Sequence, residues 1–420
     1  MRMKKKMEAG SSIPNSSEET PLLVRNQNRK VLSSQAKTFA NIFIAIVGAG
    51  VLGLPYTFKV TGWLASLVML FSVAFITQHC LMLLVHTRRR LVQSRQSVDD
   101  IGSYGDLGFA VFGPVGRVVV DILIILSQAG FCVGYLIFIS NTLVNLLGDG
   151  LTSLTSKGFY ISICFPFQLG LNSIRTLTHL APLSMVADIV DFCAKGVVMI
   201  KEIVVLTGTG PEVYAFGSFS AIFYGLGVFI YAFEGAGLVL PIESEMKERE
   251  KFGRVLGMVM ALIAVLYGLF GLLGYLAFGN ETKDLITGNL GSGLVSSLVQ
   301  LGLCVNLFFT FPVMMNPVYE IMERRLCGGR YCLWMRWVAV LLISLTALFV
   351  PNFADFLSLV GSSVCSGLGF VLPASCHLMV FKDEIGWRGW SADVSIVILG
   401  LLFTIFGTWS SIYEIISAKA

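Results

Sequence analysis

Glu234 stands inside an otherwise apolar run, Phe229-Ile230-Tyr231-Ala232-Phe233-Glu234-Gly235-Ala236-Gly237-Leu238-Val239-Leu240-Pro241. An ionised carboxyl is costly in such surroundings, and ionisable residues within apolar spans mark ion and substrate pathways. Glu234 can serve as a proton carrier as access to it alternates, or as a prop for an unwound segment. A second set comprises Asp188, Asp191 and Lys195, spaced i, i+3 and i+7 so that all three share one helix face. Asp191 and Lys195 form an i, i+4 pair in the favourable acid-first order. Mutual neutralisation is the expected reading of that pair, which leaves Asp188 as a second protonation site. Thr310, Ser362 and Ser363 are weaker candidates, because hydroxyls on helices commonly bond nearby backbone. No nucleophile–base pair or metal-ligand set stands out, so the chain does not read as an enzyme and calls for no cofactor, metal or nucleic acid.

What surrounds Glu234 has a counterpart near the start of the chain. The run from Thr38 to Pro55 is apolar, yet Gly48, Ala49, Gly50 and Gly53 interrupt it and Pro55 follows. A helix loses roughly 1 kcal/mol at each glycine relative to alanine, and about 3 kcal/mol at an interior proline. Packing glycines in membranes recur at four-residue spacing, and these do not. An interrupted backbone at membrane depth needs protein or a water-filled cavity to satisfy its freed N–H and C=O groups. Two interrupted spans in corresponding halves are the sequence sign of a transporter's binding site. Freed N–H groups suit a carboxylate and freed carbonyls an ammonium. An α-amino acid carries both. Gly48, Ala49, Gly50, Gly53, Phe229, Tyr231, Phe233, Glu234 and Gly235 are therefore the expected substrate-binding residues.

The elements that must position these residues are membrane helices. Of 420 residues, 55% are hydrophobic and only 13% charged, about half the charge of a soluble domain. Eleven apolar stretches follow the N-terminal tail, at 38–58, 61–86, 117–147, 159–178, 179–206, 218–241, 253–279, 292–320, 333–350, 354–381 and 391–415, most of them long enough to cross a bilayer. The least regular part is 159–206, where Asn172, Arg175, His179 and Pro182 mark a tight turn. With a cytosolic N-terminus, 24 of the 30 Lys and Arg fall on the cytosolic side and 4 on the other, while Lys195 and Lys201 lie inside a span. That asymmetry follows the positive-inside rule and puts the C-terminus on the far, lumenal side. The expected fold is an all-α polytopic membrane protein. Its first repeat covers about 38–206 and its second, inverted, about 218–381, with broken spans one and six and an extra helix at about 391–415.

Residues 1–37 are polar and read as a disordered cytosolic tail. Within it Glu18, Leu22 and Leu23 fit an acidic dileucine signal for sorting adaptors. Asn280-Glu281-Thr282 is a glycosylation sequon in a non-cytosolic loop. Seven of the nine cysteines lie in apolar stretches, and all nine read as free thiols.

An ordered set of segments adds a resemblance. It comprises Gly48 to Pro55, Ser103-Tyr104-Gly105-Asp106-Leu107, Phe112 to Arg117, Phe233-Glu234-Gly235, Leu240 to Met246, Gly274 to Gly279 and Thr310 to Pro317. Together they resemble the amino acid/auxin permease family, most closely its plant vacuolar amino-acid transporters of the AVT type, over nearly the whole chain after residue 35. The resemblance implies eleven spans in a five-plus-five inverted repeat. It also implies small neutral amino acids as substrates, bound at the two breaks by a monomer among membrane lipids. Proton-coupled export from the vacuole to the cytosol follows from it too. Lys195 departs from the family's expected pattern; its ammonium could fill the space that a cation uses elsewhere in this fold. A sodium-coupled transporter of the same fold and an amino-acid sensor signalling through its tail are the rival readings.

Overall fold

A computed structural model describes residues 32–94, 101–147, 156–175, 181–208, 211–291, 293–350 and 352–417. Glu18, Leu22 and Leu23, and the tail up to residue 31, lie outside the described residues. The first helix, α1 (Gln35–Ile46), starts three residues before the expected span because Ser34 caps it, accepting from the Lys37 N–H. It is followed by a 3₁₀ turn at Ala49–Gly53 and by α2 (Leu54–Thr61), with the two halves bent by 48°.

Then come α3 (Trp63–Ser94), α4 (Tyr104–Leu147), α5 (Lys157–Asn172) and α6 (Ala181–Leu206). The middle of the chain forms α7 (Phe219–Ala232), α8 (Ala236–Glu245), α9 (Phe252–Phe278) and α10 (Leu294–Leu326). Last are α11 (Leu333–Phe349), α12 (Phe353–Val360), α13 (Leu372–Val380), α14 (Trp387–Leu402) and α15 (Thr408–Ser417). Wider π-helical turns at Gly361–Cys365 and Gly367–Val371 join α12 to α13, so 353–380 is one continuous rod.

Among the described residues, seven helices are long and apolar enough to cross a membrane, and the bent pair α1/α2 makes an eighth. The expected spans at 159–178 and 333–350 correspond to α5 and α11, helices of 16 and 17 residues at the lower limit of length for a crossing. The stretch at 179–206 corresponds to α6. One boundary differs more. Helix α4 begins at Tyr104 rather than at 117, as two helical pieces meeting at Gly113, whose φ of 69° only glycine adopts freely, next to Pro114.

Packing places the two broken spans at the centre. Helix α10 lies along α4 and α6, α2 along α9 and α7, and α6 along α9. Helices α7 and α12 approach with their backbones almost touching. A side chain at Gly361 would stand 1.8 Å from the Gly227 carbonyl oxygen, and one at Gly227 would stand 2.5 Å from that of Ser358. The rod 353–380 is largely buried, whereas the α14–α15 rod is mostly exposed and sits at the periphery. Phe75, Phe167, Ile203, Val204, Leu298 and Ile405 present apolar surface outward, as lipid-facing positions do.

Basic side chains gather at the end where α3, α8 and α10 finish. There Glu243 receives Arg88 at 2.5 Å and Arg89 at 2.9 Å, and Asp121 receives Arg325 at 2.7 Å. Ser33 is strapped to the end of α8, its N–H donating to Glu245 O at 2.8 Å while Lys247 N–H donates to Ser33 O at 3.0 Å. All nine cysteines are free thiols. In the sequon, the Thr282 hydroxyl is buried and donates to Gly279 O at 2.8 Å.

Candidate functional site

The first break is built by local backbone preference. Helix α1 stops at Ile46, Val47 and Gly48 are extended (Gly48 φ −111°, ψ −157°), and the chain re-enters helical geometry at Ala49. A helical segment that starts afresh leaves its first N–H groups, and the one that stopped leaves its last carbonyls, without intrahelical partners. The second break repeats this at Phe233–Gly235, between α7 and α8. Glu234 folds back over it, and its Oε1 accepts from the Ala236 N–H at 3.0 Å, a carboxylate at a helix start.

Two side chains tie the carbonyls freed by these breaks. The Tyr267 hydroxyl of α9 lies 3.3 Å from Ile46 O and 3.3 Å from Ala232 O, so its single proton serves one carbonyl from each broken span. Lys195 Nζ donates to Gly48 O at 3.1 Å and to Asp191 Oδ2 at 2.5 Å. The expected Asp191–Lys195 pair is present, with the additional feature that its ammonium caps the first break. Asp188 is held by a long contact of 3.5 Å from Asn306 Nδ2, and Asn306 O accepts from the Thr310 hydroxyl at 2.8 Å.

Between the breaks lies a cavity of about 270 Å³. Gly48, Ala49, Gly50, Tyr231, Glu234, Asp188, Asp191 and Thr310 all line it, from four separate stretches of sequence. Its size falls just below the roughly 300–1,000 Å³ of drug-sized ligand sites, which suits a small solute. A second cleft of about 370 Å³ between α1 and α6 shares Ile44, Val47, Asp188 and Asp191 with it, so the two hollows adjoin across these residues.

Other expected residues pack behind the wall. Gly53 faces Leu357, which a side chain there would meet at 2.9 Å. Phe229 meets Phe58 edge-on with centroids 6.2 Å apart, and Phe233 lies 5.3 Å from the Tyr267 ring. Gly235 abuts Ile46, and Ser362 bonds Ser358 O at 2.7 Å. Gly50 both lines the cavity and fits between the spans, since a side chain there would come within 3.1 Å of Tyr231 and 3.2 Å of the Ala232 backbone. The two readings of those glycines, packing and site, coincide at this residue.

Four participants lay outside the sequence expectation: Phe131 and Tyr135 of α4, Asn306 of α10, and Tyr267. The first three line the cavity. Phe131 packs edge-on against Tyr231 at 4.8 Å. Asn306 carried a signal, an amide in an apolar span; aromatic residues in such spans carry none.

A polytopic helical bundle with two central broken spans around a small cavity is the architecture of a membrane transporter. Mhp1, a nucleobase-cation-symport-1 family transporter, shares this fold. Its closed, bromovinylhydantoin-bound form superposes with a TM-score of 0.54 at 16% identity, covering 93% of this chain and 92% of that one. Its inward-facing form gives 0.57 at 12% identity, covering 92% and 90%. Residues 32–413 match the model of the transmembrane amino acid transporter protein family, and the chain belongs to that family. Among its relatives are amino acid transporters AVT3B and AVT3C of Arabidopsis thaliana. AVT3B is 62% identical, covering 95% of this chain and 97% of its own length. AVT3C is 59% identical, covering 97% and 96%. Vacuolar amino acid transporter 3 of Schizosaccharomyces pombe is 25% identical, over 96% of this chain and 62% of its own length.

Proposed function

We propose that this protein is a secondary active transporter of small neutral amino acids, coupled to protons and exporting from the vacuole to the cytosol by alternating access. The observation that carries the reading is the cavity between the two breaks, bordered by a fresh helix start at Ala49 and by the acidic side chains of Asp188, Asp191 and Glu234. A zwitterion fits such a site, with its carboxylate toward N–H groups at a helix start and its ammonium toward carboxylates and carbonyls. The relatives, named as amino acid and vacuolar amino acid transporters, support the substrate class and the membrane.

Proton coupling is favoured over sodium by Lys195. Its ammonium sits on Gly48 O, a carbonyl that a metal cation would otherwise compete for. Glu234 and Asp188 are the proposed proton carriers. The cleft between α1 and α6 supplies one route to the cavity, while α2 stays packed on α9 and α7. In this reading α5, α6 and α11 complete eleven spans, arranged as two inverted repeats with α14–α15 outside them. The basic end faces the cytosol with the N-terminus, and the C-terminus is lumenal. Sorting adaptors read Glu18, Leu22 and Leu23.

The test is uptake of labelled amino acids into proteoliposomes under imposed proton or sodium gradients. Flux driven by a pH gradient and indifferent to sodium is expected. Binding of amino acids with no flux under either gradient would replace transport by sensing.

A further inference from the structure

Glu202 of α6 has no part in the site described above. Its side chain is wholly buried, and neither carboxyl oxygen has a hydrogen-bond partner among the described residues. It lies at a spot on α9 that α6 and α2 both pack against. A side chain at Gly274 of α9 would stand 2.9 Å from Glu202 Oε1 and 2.7 Å from the ring of Pro55 in α2. The missing Cβ at Gly274 is what lets the carboxyl and the proline share one spot.

The cations and titratable groups on the surrounding elements are engaged elsewhere. Lys201, its neighbour, donates to Leu290 O at 2.8 Å and to the Ser296 hydroxyl. Lys59 of α2 donates to Thr282 O at 3.1 Å and lies over the Tyr56 ring. On α9, the Tyr275 hydroxyl accepts from Tyr214 N at 2.9 Å, Tyr267 is occupied at the breaks, and Arg254 lies at the opposite end. The charged residues of α10 (Glu320, Glu323, Arg324 and Arg325) all lie in its last turns. Asp355 takes Tyr224 and Asn352, and Asp284 takes the Phe353 N–H. An ionised carboxylate in such a seam would be unpaired and desolvated, which is far costlier than the neutral acid.

We propose that Glu202 is a further proton-binding carboxyl of the transport cycle, neutral while α2 packs on α9 beside it and free to release its proton to water only when α2 lifts away. The step is a proton transfer between the carboxyl and water, with no other bond changed. Because α2 is the half-span that continues directly from the Gly48–Gly53 break, its movement would link Glu202 to the cavity. Linkage sets the direction: low pH on the face beyond α2 favours the packed state, and high pH there favours opening. This inference rests on the proton-coupled reading and deepens it by adding a third group, remote from the substrate.

Hydrogen exchange of the full-length protein in nanodiscs tests it, reading the amides of residues 54–61 at pH 5 and pH 7.5 after correction for intrinsic rates. Wild type is expected to exchange severalfold faster at the higher pH. Glu202→Gln, a stand-in for the neutral acid, should stay at the slow, low-pH level at both. Glu202→Met should do the same, which keeps the test decisive if the glutamine variant fails to fold. An unchanged pH response in either variant, or none in wild type, overturns the proposal. This readout does not require flux, so a protein that binds without transporting would remove the transport reading and leave the Glu202 result standing.

Discussion

At the scale of single residues, the glycines of the first break have separable roles. A side chain at Gly48 would meet nothing within 4 Å, and the backbone there is extended, so alanine fits. Gly48→Ala should change stability by less than about 1 kcal/mol and weaken transport of bulkier amino acids roughly tenfold relative to smaller ones, read by competition against labelled substrate. Gly50→Val, by contrast, drives side-chain atoms into Tyr231 and the Ala232 backbone, and should abolish binding together with proper folding. A fully active Gly50→Val protein would show that the two spans need not approach so closely. Glu234→Gln keeps a carbonyl oxygen for the Ala236 N–H while removing the titratable group. Folding and membrane delivery should therefore survive and proton-driven uptake should be lost or uncoupled. Unchanged pH-dependent uptake would take Glu234 out of the coupling mechanism.

At the scale of elements, the broken spans are stable because other helices answer their exposed backbone. Tyr267 of α9 serves both Ile46 O and Ala232 O. Removing one partner of a buried hydrogen bond costs about 1–3 kcal/mol. Tyr267→Phe should lower the thermal midpoint accordingly and slow uptake, since two half-spans lose a common tether; a midpoint equal to wild type would mean that the carbonyls find another donor. Lys195 answers the same break from α6, and its position on α6 could be read from sequence spacing. Its reach to Gly48 O could not, because that bond joins residues 147 apart in sequence.

At the scale of the whole molecule, α3 and α8 are clamped together at the basic end by Arg88, Arg89 and a buried Glu243. The Ser33 strap joins the same helix end to the segment that leads into α1. Breaking one side of a buried ion pair costs about 3–5 kcal/mol. Glu243→Gln should therefore destabilise the protein and loosen that end, seen as faster hydrogen exchange in residues 236–247 with less change in 54–61. Equal acceleration in both segments would indicate general unfolding rather than a local clamp.

What the sequence determined by itself is what local physics dictates. An apolar chain with little charge must be solvated by lipid. Clustered glycine with a trailing proline weakens a helix, though Gly367, Gly369 and Pro373 show that the continuous 353–380 rod can absorb it. Both breaks and the acidic face of α6 were legible for that reason, as was the ordered set of motifs. Only the tertiary structure decided which residues around the breaks face inward. Lipid and protein interior are equally apolar, so the composition of Phe131, Tyr135, Phe229 and Phe233 cannot say whether each meets a cavity, a neighbour or the bilayer. The same holds for Glu202, an ionisable residue within a span that the sequence patterns did not single out. Its unpaired burial beside Pro55 and Gly274 exists only because three helices converge there.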